Sequence, residues 1–151
     1  MALRLSTKLR DNLAGTTGFA STFANGVIDI YSGSQPASAD AAVTGTLLGR
    51  VTLNSGAFTA GTATNGLTFG APSGGVVAKT GVWSFNGVAA GTAGWFRLKG
   101  NALDSDALST TLPRVDGSIA TSGADMNLSN IAIAIGAPNT IDSFSFQIPA
   151  A

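Results

Sequence analysis

A chain of 151 residues is long enough for one domain with a sizeable core. Eight basic side chains balance eight acidic ones, every acid is aspartate, and histidine and cysteine are both missing. This excludes disulfide scaffolds, thiol and imidazole catalysis and cysteine- or histidine-ligated metals, and neutrality argues against nucleic-acid binding by phosphate neutralisation.

Along the chain, residues 1–15 form a basic amphipathic arm and residues 16–151 a β domain. In the arm Leu5, Leu9 and Leu13 recur every four residues, which predicts a short helix capped by Ser6 or Thr7 and ended by Gly15 at the C′ position. Arg4, Lys8 and Arg10 against Asp11 leave the arm at +2, and five cations against seven carboxylates leave the remainder at −2. So short a helix is marginal alone, so its leucines must pack on something. They either cover the chain's own sheet or dock on a neighbouring subunit.

From Gly26 the pattern is β. Val27 to Tyr31 alternates as a half-buried strand, followed by a loop of small residues through Gln35 and Pro36 to Ala42. Ser38 can cap a helical turn there, and the loop lacks the glycines and lysine of a phosphate cradle. It reads as a compact connection, either one that lets a neighbour approach closely or an ordinary surface loop. Leu47 to Leu53, Gly66 to Phe69, Val76 to Lys79, Val82 to Phe85 and Ala93 to Lys99 are further short strands. Asn25-Gly26, Asn65-Gly66 and Asn86-Gly87 punctuate them as turns. Arg114 to Ala120 reads as a hairpin turning at Asp116-Gly117. Ile131, Ile133 and Ile135 share one face late in the chain, and Phe144, Phe146 and Ile148 line a closing strand. About eight short strands at this spacing predict an all-β, single-domain β-sandwich or jelly-roll-like fold with a short N-terminal helix.

Chemistry is sparse. There is no nucleophile elbow or Walker loop, and Asp104 and Asp106 form the one close acidic pair, spaced for a polar loop rather than for a glycosidase or a calcium loop. No catalytic, cofactor or metal residues are assigned and no cofactor is expected. Trp83 and Trp95 read as core residues, with Trp95 and Arg97 the better candidates for interface anchors. No stretch approaches the roughly 18 apolar residues that cross a membrane, and the charged start is not a secretion signal. Folding in a reducing cytoplasm is expected. Charged residues make up 11% of the chain, less than half the roughly 25% of ordinary domains, which fits either a small-residue β protein kept wet by Ser, Thr and Asn or a surface lying against other subunits.

Several stretches together resemble a family of small virion proteins from tailed bacteriophages. They are Leu5-Ser-Thr-Lys-Leu-Arg10, Asn25 to Ala42, Gly91-Thr-Ala-Gly-Trp-Phe-Arg97, Arg114-Val-Asp-Gly117 and Thr121-Ser-Gly-Ala-Asp125. Within it, size and β content are most similar to head decoration, or cement, proteins. The resemblance implies a homodimer or homotrimer on the capsid exterior that bridges major capsid subunits, with no enzymatic activity. A tail, baseplate or fibre module, including a glycan-binding adhesin, is the alternative. The expected contact residues are Arg4, Leu5, Lys8, Leu9, Arg10, Leu13, Gln35, Pro36, Trp95 and Arg97, with the arm reaching outward.

Overall fold

A computed structural model describes residues 3–150; Met1, Ala2 and Ala151, assigned above to the arm and the end of the sandwich, lie outside the described residues. The fold is all-β. In chain order it runs β1 (Arg4–Leu5), α1 (Thr7–Ala14), α2 (Phe19–Thr22), β2 (Val27–Ser32), β3 (Leu47–Leu53), β4 (Thr68–Phe69), β5 (Val76–Thr80), β6 (Trp83–Asn86) and β7 (Gly91–Lys99). There follow β8 (Arg114–Ala120), β9 (Met126–Asn127), β10 (Ala132–Ile133), β11 (Pro138–Ile141) and β12 (Ser145–Gln147). The large sheet has the order β1-β8-β7-β2-β3-β6-β11, with β10 on β7 and β9 on β8; the small sheet is β12-β5-β4.

The two sheets enclose an aromatic core. In register, Val51, Ile28, Leu98, Val115 and Leu5 form one row across β3, β2, β7, β8 and β1. Ile30 and Phe96 sit opposite each other in the next apolar row. Phe144 meets Phe96 edge-on at 5.8 Å, and Phe146 stacks on Phe19 at 4.0 Å, so the small sheet and α2 close over this face. Aromatic pairs in such geometries add to what their buried area contributes.

Three expectations are corrected. Leu5 is not helical; it pairs with Val115 as the outer strand of the sheet, and the helix starts after Ser6, whose Oγ accepts from the Leu9 amide at 3.2 Å. Gly15 does end α1, but as its C-cap, with φ −95°, rather than at the C′ position. Arg114 to Ala120 is one uninterrupted strand, not a hairpin, because Asp116 and Gly117 pair squarely with Arg97 and Phe96. Gly117 serves packing: a Cβ there would lie 2.6 Å from the Phe96 ring and 2.8 Å from Leu3. Gly117→Ala should therefore destabilise by about 1–3 kcal/mol through overpacking, measurable as a lower denaturation midpoint with an unchanged m-value. Late in the chain Ile133 is buried but Ile135 is 73% exposed, and Ile148, beyond the end of β12, is 53% exposed.

Candidate functional site

The strands bury both faces. Opposite the apolar rows, the register places Arg50, Asp29, Arg97, Asp116 and Arg4 side by side on five adjacent strands, with alternating charge. Flanking rows carry Tyr31, Trp95 and Ser118 on one side and Val27, Lys99 and Arg114 on the other. Alternation along a strand forces this: once Ile28 and Ile30 point into the core, Asp29 must point away from it.

The charges are knit together. Arg50 grips Asp29 with two bonds of 2.6 and 2.8 Å, and Arg97 grips Asp116 at 2.7 and 2.8 Å. Lys99 Nζ lies between Asp29 at 2.7 Å and Asp106 at 2.9 Å, and Arg114 grips Asp104 at 2.6 and 2.8 Å. Four cations thus face four carboxylates. Asp29, Arg97, Arg114 and Asp116 are fully enclosed.

Two loops form the lid. Residues 33–46 lie over the layer: Arg97 donates to the Ala41 carbonyl at 3.0 Å, Arg114 reaches the carbonyls of Ala39, Asp40 and Ala41 at 3.4 Å, and Arg4 donates to that of Pro36 at 2.6 Å. The Asp40 carboxylate accepts from the amide and hydroxyl of Thr7 at 2.9 and 2.6 Å, fastening the loop to the start of α1. The second loop, 100–113, supplies Asp104 and Asp106. Its backbone is tied down by Arg114 to the Ala107 carbonyl, by Val43 to that of Asp106 and by Ser109 to that of Asp40.

The electrostatics follow from this enclosure. Burial pushes the Tyr31 hydroxyl up, helped by the charges of Asp29 and Asp106, and it stays a neutral donor to Asp106 at 3.1 Å. Burial alone would lower the Arg97 guanidinium, but its bonds to Asp116 and the field of Asp106 hold it above the ordinary arginine value. Burial would raise Asp104, but Arg114 outweighs it and holds the carboxyl below the usual range. The fold therefore favours ionised Asp104: that stability is present above the unfolded value and is lost as pH falls through the folded one. Asp104→Asn should be less stable than the parent at neutral pH, and the gap should close below about pH 4, as read from unfolding curves across an acid series.

The expected contact residues divide sharply. Trp95 and Arg97 are 0% exposed and so are not surface anchors. Trp95 stacks on Tyr31 at 4.6 Å with the Arg97 guanidinium 5.6 Å from its ring centre, because Tyr31 faces Trp95 in one row and Arg97 lies in the next. Its indole nitrogen is buried with no hydrogen-bond partner among the described residues. Leu9 is fully buried, Leu5 and Leu13 pack against the core, and Gln35 and Pro36 are buried members of the first loop. Arg4 is half-buried in β1, which leaves Lys8 and Arg10 exposed on α1. The basic arm does not reach out; it is sheet edge and core. The small-residue loop approaches the chain's own sheet.

Sequence reasoning missed Asp29, Arg50, Lys99, Arg114 and Asp116 as a set, and took Asp104 and Asp106 for a solvated loop. A signal existed: in a chain short of charge, Asp29, Arg50, Arg97, Lys99, Arg114 and Asp116 all fall inside strands. Chemically the layer holds itself. No group of three or more ligand-type side chains suited to a metal ion occurs among the described residues. Among the described residues no helix is long and apolar enough to cross a membrane. Comparison with protein-family models, curated proteins and solved structures yields no match.

Proposed function

We propose that this chain is a non-enzymatic structural protein of a tailed-phage virion that decorates the capsid exterior and stabilises it by bridging neighbouring major capsid subunits. The observation that carries the reading is the inward turn of charge: Arg50, Arg97, Lys99 and Arg114 neutralise Asp29, Asp104, Asp106 and Asp116 beneath two pinned loops. The surface left behind is short of free charge and carries exposed Leu47, Val82, Val88, Leu103, Leu108 and Ile135. Such a surface suits contact with other subunits better than chemistry on a small molecule. The resemblance described from the sequence supplies the partner class. A clamp repeated over a lattice needs only modest affinity at each junction, because many copies act together.

The glycan-binding alternative calls for aromatic faces in solvent. Trp83 and Trp95 are both fully enclosed and Tyr31 nearly so, which argues against such a platform. Quantitative mass spectrometry of purified particles tests the proposal. A copy number near parity with the major capsid protein is the expected result; a few copies per particle would point to the tail, and absence from particles would overturn the structural reading.

A further inference from the structure

Three polar atoms of the charged layer are buried with no hydrogen-bond partner among the described residues: Arg97 Nη1, Asp106 Oδ1 and Trp95 Nε1. Two of them form a pair. Arg97 Nη1 lies 3.7 Å from Asp106 Oδ1, attracted by charge but beyond hydrogen-bond reach. The Trp95 ring belongs to the same neighbourhood, its centre 5.6 Å from the Arg97 guanidinium and 4.6 Å from the Tyr31 ring.

The separation is held from both sides. Arg97 commits Nε and Nη2 to Asp116 at 2.7 and 2.8 Å, and Nη2 also to the Ala41 carbonyl at 3.0 Å. The guanidinium is planar, so these bonds fix Nη1 as well. Asp106 Oδ2 accepts from the Tyr31 hydroxyl at 3.1 Å and from Lys99 at 2.9 Å, while the Asp106 amide donates to Asp104 Oδ1 at 2.8 Å. With its other oxygen and its backbone tied, Oδ1 is set in place. Closing the pair directly would strain bonds already made, and leaving enclosed polar atoms unbonded is costly.

We propose that buried water completes the layer: one molecule accepts from Arg97 Nη1 and donates to Asp106 Oδ1, and the Trp95 indole donates into the same hydration site. A water about 2.9 Å from each atom of the pair sits at the apex of a triangle whose base is the 3.7 Å separation. The chemistry of the three atoms selects water over an ion. Arg97 and Trp95 can only donate and the Asp106 carboxylate can only accept, and water serves both roles. An anion would leave Oδ1 unbonded and lie against a carboxylate; a cation would lie against the guanidinium. Either would also unbalance a layer in which Arg50, Arg97, Lys99 and Arg114 match Asp29, Asp104, Asp106 and Asp116. Buried waters that satisfy otherwise unbonded groups are a regular part of folded interiors. The inference is independent of the virion reading, because it concerns the interior of a single chain.

Trp83 supplies an internal control, since its indole nitrogen donates to the Thr80 carbonyl at 2.9 Å. Nuclear Overhauser spectra of the isotope-labelled chain should show a cross-peak to long-lived water at the Trp95 indole proton and none at that of Trp83. Tyr31→Phe removes the exchangeable hydroxyl of the stacked ring, and the Trp95 cross-peak should survive it. A high-resolution crystal structure should place a water within about 3.2 Å of both Arg97 Nη1 and Asp106 Oδ1. A silent Trp95 indole, loss of its cross-peak in Tyr31→Phe, or a direct Arg97–Asp106 hydrogen bond would overturn the inference. Bromide at this position in anomalous maps of soaked crystals would overturn it as well, by making the site one for anions.

Discussion

Arg114→Ala should lower stability by about 3–5 kcal/mol, because it leaves Asp104 charged and unpaired in an enclosed site. Arg114 does more than pair. Its guanidinium holds carbonyls of both loops, at Ala39 to Ala41 and at Ala107, while its backbone amide donates to Ser6 Oγ at 2.8 Å. For a chain of this size such a loss is a fall in melting temperature of roughly 10 °C or more. Calorimetry checks the fall, and hydrogen exchange should show both loops losing protection first. Removing the partner charge as well, in Arg114→Leu with Asp104→Asn, should recover part of the loss, since a buried pair is costlier to break than to replace.

Deleting residues 1–14 should be more damaging still. The deletion removes β1 from the sheet edge, takes fully buried Leu9 out of the core and strips Asp40 of its bonds to Thr7. Losing one buried leucine costs about 2–5 kcal/mol, and the bared β8 would present unpaired backbone groups to other chains. The truncated chain should melt well below the parent or aggregate on expression; an unchanged melting temperature would show that the segment is a dispensable arm. Leu9→Ala in the full-length chain isolates the core contribution from the exposed edge.

Much of the fold was legible because its cue is local. Alternating Ile28 and Ile30 marked β2, Leu47 to Leu53 was bounded as observed, and Ser6 announced the start of α1. The failures share a cause: the deciding partner is distant in sequence. Leu5 fits a helical stripe until Val115 is seen beside it, and Asp116-Gly117 fits a turn until Phe96 is seen to need the glycine. The charged layer was hidden for the same reason. Asp29 and Arg97 pair across 68 positions of chain only by virtue of strand register, and Asp106 reaches Tyr31 only after its loop folds back. Trp95 beside Arg97 has the composition of an interface, and burial, which composition does not report, makes it interior.

The row from Arg50 through Asp29, Arg97 and Asp116 to Arg4 also has a mechanical meaning. Backbone hydrogen bonds join each strand to its neighbours, and here Arg50 to Asp29 and Arg97 to Asp116 add short side-chain struts across the same gaps. Sliding β3 past β2, or β7 past β8, must break the struts together with the ladder. Shear between β3 and β2, or between β7 and β8, is thus resisted by two parallel load paths, backbone and side chain.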